Sequence, residues 1–115
     1  MMDEQQFKAR TKHLALRVIK LVNALPPGLT AEVIGKQVLL SATSVGANYR
    51  AACRGKSTAD LISKLKIVEA ETDQTLYWME ILIEAGIIDA EKIQSLMAET
   101  NEILAMTVAS IQTLA

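Results

Sequence analysis

The sequence predicts an all-α protein, an antiparallel four-helix bundle that runs up, down, up and down. Apolar and small residues recur every three or four positions, which is the helical period, and the alternation typical of strands is absent. Prolines and glycines that end helices are confined to three short stretches: Leu25-Pro26-Pro27-Gly28, Arg54-Gly55-Lys56-Ser57 and Ala85-Gly86. Connections this short make successive helices antiparallel neighbours.

The breaks leave helical segments at about residues 4–25, 31–54, 58–85 and 89–114. In the first segment the apolar face is expected to consist of Phe7, Thr11, Leu14, Val18, Leu21 and Leu25.

The second segment is poor in large apolar side chains and contains a glycine, Gly46, which costs roughly 1 kcal/mol relative to alanine inside a helix. Thr30 is expected to cap its start. Its small residues predict that another helix backbone approaches closely here. The sequence leaves open whether that helix belongs to the same chain or to another subunit.

The third and fourth segments have clear start signals and apolar faces. Ser57 with Asp60 resembles a capping box for the third segment, and Asp89 is expected to cap the fourth. The expected face of the third is Leu61, Leu65, Val68, Thr72, Thr75, Met79 and Leu82. The expected face of the fourth is Ile93, Met97, Thr100, Leu104, Thr107, Ile111 and Leu114.

Length and composition predict one domain, residues 1–115, with an aliphatic core, because half of the residues are hydrophobic and only 3% are aromatic. The N-terminus Met1-Met2-Asp3-Glu4 is polar and acidic, unlike a signal peptide, and no apolar run is long enough to span a membrane. The single cysteine, Cys53, cannot form an intrachain disulfide. A cytoplasmic location without membrane association is expected.

Charge is distributed unevenly along the chain. Residues 1–57 hold nine lysines and arginines against three acids, whereas residues 58–115 hold three lysines against ten acids. This asymmetry indicates either a basic surface for nucleic acid or two halves that neutralise each other. The candidate nucleic-acid face on the first helix is Lys8, Arg10, Lys12, Arg17 and Lys20. The two interpretations differ in whether these side chains are free or are paired with the fourth helix.

No sequence motif predicts catalysis, a cofactor or a metal ion. A glycine-rich phosphate loop, a Cys-x-x-Cys pair and a His-Glu-x-x-His motif are all absent. The single histidine, His13, is expected to be exposed among cations, and Cys53 to be a buried structural thiol. The prediction is therefore not an enzyme, with a small enzyme whose site lies at subunit contacts as the remote alternative.

Polar and aromatic residues of the second and third helices form a candidate structural or interaction cluster: Asn48, Tyr49, Arg50, Arg54, Asp73, Tyr77 and Trp78. Buried amide and guanidinium groups need hydrogen-bond partners. Asn48 is expected to find one on the third helix, at Asp73 or Thr72, and Arg50 is expected to reach an acid elsewhere.

Apolar residues also lie outside the predicted core faces, including Ile19 on the first helix, Ile67 and Ile81 on the third and Val108 on the fourth. A small bundle buries one face of each helix, so a second apolar face predicts contact with another subunit. The alternative is a wide core face of the ordinary globular kind.

The run Ser41-Ala42-Thr43-Ser44-Val45-Gly46-Ala47-Asn48, the turn Cys53-Arg54-Gly55 and the pair Tyr77-Trp78 resemble the four helix bundle proteins called 23S ribosomal RNA intervening-sequence proteins. The chain departs from that pattern at Ala51 and Gln74, where glutamate is common. The resemblance implies an antiparallel four-helix bundle assembled as a cyclic homopentamer. Some members are encoded inside ribosomal RNA genes, and a similar bundle assists the reverse transcriptase of diversity-generating retroelements.

The predicted function is thus a non-enzymatic homo-oligomeric scaffold or adaptor whose partners are itself and RNA or a ribonucleoprotein. A nucleic-acid-binding accessory protein to a reverse transcriptase is the alternative.

Overall fold

A computed structural model describes residues 3–115, and Met1 and Met2 of the polar N-terminal stretch lie outside this range. The described residues form four α-helices: α1 (Glu4–Asn23), α2 (Leu29–Cys53), α3 (Thr58–Glu84) and α4 (Ala90–Leu114). Residues 3–115 contain no strand, and the predicted all-α four-helix bundle is confirmed. None of these helices has the length and apolar character needed to cross a membrane.

Contacts between side chains show how the helices are aligned. Phe7 near the start of α1 packs edge-on against Tyr49 near the end of α2, with ring centroids 4.7 Å apart. The hydroxyl oxygens of Ser41 on α2 and Thr75 on α3 lie 3.0 Å apart and fix the height of these helices relative to each other. The bundle measures 45 × 21 × 20 Å, so all four helices run side by side along its length.

Helix ends follow the local sequence closely. Ser57 caps α3 as predicted, because its hydroxyl oxygen accepts a hydrogen bond from the Asp60 backbone N–H at 3.1 Å. Asp89 occupies the N-cap position of α4, although its side chain makes no capping bond there. The prediction that Thr30 caps α2 was wrong. The cap is Gly28, whose φ of 136° is in the region that favours glycine, and α2 begins directly after it at Leu29.

The core is aliphatic, with buried hydroxyl groups distributed through it. Five threonines are fully buried: Thr11, Thr72, Thr75, Thr100 and Thr107. Each donates its hydroxyl to the backbone carbonyl oxygen four residues earlier, at 2.7–3.0 Å. These bonds satisfy the buried hydroxyls inside their own helices and avoid the cost of an unpaired polar group.

The predicted faces of α1 and α3 are buried except at their ends, where Leu21, Leu25 and Leu61 are only partly buried. The face of α4 differs from the prediction. Leu96 and Ile103 are buried, whereas Met97 and Leu104, one residue later in each case, are partly exposed. Both pairs have helical spacing, so the sequence did not distinguish the correct face.

The helix that approaches the small residues of α2 is α1 of the same chain. A Cβ atom added to Gly46 would lie 3.2 Å from the Thr11 side-chain oxygen and 3.4 Å from the Thr11 carbonyl carbon. The second of these atoms belongs to the α1 backbone, which cannot move without shifting the helix. The absence of a side chain at Gly46 therefore sets the distance between α1 and α2.

We expect Gly46→Leu to lower the free energy of unfolding by about 1–3 kcal/mol, because the larger side chain must force α1 away from α2. Urea titration followed by circular dichroism measures this loss. Ala98→Leu, at an exposed position on α4, serves as the control and should change stability by less than about 0.5 kcal/mol. Equal stability of the Gly46 variant and the wild type would contradict the close approach.

Candidate nucleic-acid interface

The five cations of the candidate nucleic-acid face do not form one surface. Arg10 and Arg17 contact α4, whereas Lys8 and Lys12 line a groove between α1 and α2. Lys20 is exposed and is not part of that groove. The cations of α1 are therefore divided between a contact with α4 and a groove beside α2.

Arg10 joins α1 to α4 through two carboxylates. Its guanidinium donates to both oxygens of Glu99, from Nε at 3.0 Å and from Nη2 at 2.7 Å. Nη2 also lies 3.1 Å from a carboxylate oxygen of Glu102. Hydrogen bonding to Arg10 lowers the pKa of Glu99, and the same bonds raise the pKa of Arg10. Arg17 also reaches α4, where its Nη2 donates to the Ser95 hydroxyl at 3.2 Å, but it makes no ion pair within residues 3–115.

The groove between α1 and α2 carries four cations: Lys8, Lys12, Arg50 and Arg54. Its volume is about 580 Å³, and no carboxylate lines it. Lys8 lies 3.8 Å from the exposed carboxylate of Glu4, and within residues 3–115 the other three cations make no ion pair. An anion that enters this groove meets positive charge from both helices.

Helical spacing explains why these cations converge. Lys8 and Lys12 are one turn apart on α1, as are Arg50 and Arg54 on α2. The antiparallel alignment brings both pairs to the same part of the bundle. Between them, Gly46, Ala47 and Ala9 leave an open floor. The arginines offer planar donors that match phosphate oxygens, and the lysines offer compact charges.

The members of the predicted structural or interaction cluster lie in several different environments. Tyr49 is buried in the core against Phe7, and Arg50 and Arg54 belong to the α1–α2 groove. The remaining members lie elsewhere. Asp73 is exposed on α3, and Asn48 is partly buried on α2. Tyr77 packs edge-on against Trp78, with ring centroids 4.9 Å apart.

The predicted partner of Asn48 on α3 was wrong, whereas an acid elsewhere for Arg50 stays a prediction. The Asn48 amide donates at 2.8 Å to the carbonyl oxygen of Ser44, four residues earlier on α2, and makes no bond to α3. Arg50 is exposed, and no carboxylate of residues 3–115 pairs with it. An amide reaches its own helix without any displacement of the neighbouring one, which favours the local bond.

Cys53 lies at the end of α2, and His13 lies on α1. Cys53 is partly buried. It lines a cavity of about 370 Å³, and Tyr49 and Glu4 line the same cavity. Burial raises the pKa of the Cys53 thiol and that of the Tyr49 hydroxyl. The thiol is thereby kept in its less nucleophilic, protonated form. His13 is exposed on α1, and no group of three His, Cys, Asp or Glu side chains within residues 3–115 is arranged to hold a metal ion.

Comparison with known proteins gives a family and a similar fold. The family model described as 23S rRNA-intervening sequence protein matches residues 3–109. A crystal structure of a protein of unknown function from the S23 ribosomal protein family of Bacteroides thetaiotaomicron is similar, with 34% sequence identity and a TM-score of 0.85. The similarity covers 96% of this chain and 99% of that one. No curated protein matches the chain.

We expect Glu99→Gln to lower the free energy of unfolding at pH 7 by about 1–2 kcal/mol, because Arg10 loses its charged partner. The lowered pKa of Glu99 means that its stabilising effect is complete above the ordinary carboxyl pKa of about 4.3 and is lost as the pH falls through the lower, folded-state value. The difference between variant and wild type should therefore disappear in acid.

Urea titrations at pH 7 and below pH 4 measure both effects. Glu102→Gln is the matched control, since its side chain is 61% exposed against 23% for Glu99. This substitution should lower the free energy of unfolding by less than about 1 kcal/mol. If the Glu99 variant remained less stable than the wild type by the same amount in acid, the ion pair would not be the cause of the lost stability.

Proposed function

This chain belongs to the 23S rRNA-intervening sequence protein family, and we propose that it is a non-enzymatic, homo-oligomeric scaffold that binds RNA in the cytoplasm. The observation that supports RNA binding is the α1–α2 groove, with its four cations and no lining carboxylate. The net charge of −1 is compatible with this role, because binding depends on a local basic surface and not on the total charge.

The groove is suited to the RNA backbone more than to the bases. Its cations are of the kinds that bind phosphate, and its floor of glycine and alanine offers no aromatic ring for base stacking. The exposed Tyr77 and the partly buried Trp78 belong to α3 and do not line the groove. We therefore expect binding that depends strongly on salt and weakly on RNA sequence.

A non-enzymatic role agrees with the state of the two side chains that most often serve as nucleophile or base. Burial raises the pKa of the Cys53 thiol, and His13 is exposed on α1. The resemblance described above implies a cyclic homopentamer. Such a ring would carry five copies of the groove, and several weak contacts on one RNA would bind together far more tightly than each alone.

We expect single-stranded RNA to lose roughly 50-fold in affinity per groove between 50 and 200 mM salt if four phosphates are neutralised. The double variant Lys8→Glu, Lys12→Glu should weaken binding to all RNA sequences and reduce the salt dependence, because two of the four cations are replaced. Electrophoretic shift assays at both salt concentrations, with RNAs of different sequence, measure these quantities.

Two single variants serve as controls for this experiment. Lys92→Glu makes the same charge change at an exposed position of α4, outside the groove, and should leave binding nearly unchanged. Lys20→Glu distinguishes binding in the groove from binding to the whole cationic face of α1. Because Lys20 does not line the groove, this variant should weaken RNA binding only if the whole face is used. Binding that ignores salt, or that survives the double variant, would rule out the groove.

A further inference from the structure

The cavity that Cys53 lines is located at the end of the bundle where α1 and α3 begin and α2 and α4 end. We call it the end cavity. Residues of all four helices line it, and its volume is about 370 Å³. Cavities of roughly 300–1,000 Å³ are typical of small-molecule sites. The end cavity therefore has the size of a binding site for a small ligand.

The inner wall of the end cavity is largely apolar. Ala52 and Leu65 are buried in the core, and Leu61 and Leu114 are partly buried and line the same cavity. The buried Tyr49 adds an aromatic side chain. A ligand that covers these side chains removes apolar surface from water, which favours binding of a molecule with an apolar body.

One polar group on this wall has no hydrogen-bond partner. Ser110 is only 5% exposed and lines the end cavity, yet its hydroxyl makes no hydrogen bond within residues 3–115. The other buried hydroxyl groups of the core all make one: those of Thr11, Ser41, Thr72, Thr75, Thr100 and Thr107. Within the same residues, no fully enclosed side-chain oxygen or nitrogen lacks a partner. The Ser110 hydroxyl is therefore not enclosed, and it faces the end cavity.

The other polar groups of the end cavity favour an uncharged ligand. The Tyr49 hydroxyl and the Cys53 thiol lie next to each other, and burial raises the pKa of both, so both are uncharged at pH 7. The exposed side chains Glu4 and Lys56 line the cavity with opposite charges. An ion that enters would lose its hydration without gaining a buried counter-charge, which is costly.

We propose that the end cavity binds a small uncharged alcohol or phenol, that is, a molecule with an apolar body and one hydroxyl group. The apolar body packs against the leucines of the wall. The hydroxyl group forms a hydrogen bond with Ser110, whose own hydroxyl can donate or accept. This site is separate from the RNA interface, because the end cavity and the α1–α2 groove share no lining residue.

Phenol and toluene are a matched pair of probes for this site, because they are nearly equal in size and only phenol has a hydroxyl group. Both should cause saturable changes in the amide chemical shifts of the isotope-labelled protein, largest at residues that line the end cavity. In Ser110→Ala the dissociation constant of phenol should rise roughly fivefold, because one hydrogen bond is lost. The dissociation constant of toluene should stay the same.

Two further variants serve as controls. Ser63→Ala makes the same change at an exposed position of α3, outside the end cavity, and should leave both dissociation constants unchanged. Ser110→Leu places a larger apolar side chain in the cavity and should abolish binding of both probes. Circular dichroism checks that this variant is folded. If it is not, the comparison of phenol with toluene in Ser110→Ala decides alone.

A loss of phenol affinity in Ser110→Ala, with toluene affinity unchanged, supports the proposal. Three results would overturn it: no saturable shift changes in the wild type, equal phenol affinity of Ser110→Ala and the wild type, or equal weakening of phenol and toluene. The last of these would mean that the substitution alters the shape of the cavity and that Ser110 makes no bond to the ligand. None of these results depends on RNA binding or on assembly, so they leave the proposed function unaffected.

Discussion

The close approach of α1 and α2 at Gly46 is the constraint on which the candidate RNA interface depends. Without a side chain at this position, the α1 backbone at Thr11 lies in contact with α2. That short distance brings the two pairs of cations to opposite sides of one narrow groove. A larger residue would separate the helices and the charges together, so the packing of the core and the electrostatics of the surface are determined by the same contact.

Electrostatics also explains why α1 has two different charged sides. Arg10 is held by two carboxylates of α4 and stabilises the closed bundle, whereas Lys8 and Lys12 face a groove that contains no acid. Of these cations, only Arg10 is paired with acids of the second half of the chain. The charge asymmetry of the sequence therefore yields an ion-paired contact between α1 and α4 and a positive groove between α1 and α2.

Patterns along the sequence predicted the four helices, the cap at Ser57 and most of the core, because these features depend on local spacing. Two kinds of feature escaped prediction. The choice between Leu96 and Met97 as the buried face of α4 depends on how the helix is rotated, which several apolar residues at similar spacing leave undetermined. The groove combines Lys8 and Lys12 with Arg50 and Arg54, which are about 40 residues away, and only the alignment of α1 with α2 brings them together. The identical i, i+4 spacing in both pairs was the available signal.

The contact between α1 and α4 joins the two ends of the chain and is the sparsest of the helix contacts, whereas α2 and α3 are adjacent in sequence and pack most extensively. Closing a long loop costs more chain entropy than closing a short one. Here the contact that closes the longest loop, between α1 and α4, is also the one with the least packing. We therefore expect the α2–α3 hairpin to be the most stable cooperative unit of the molecule, and local opening to begin with separation of α1 from α4. The backbone amides within α1 and α4 should then exchange their hydrogens with solvent faster than those within α2 and α3.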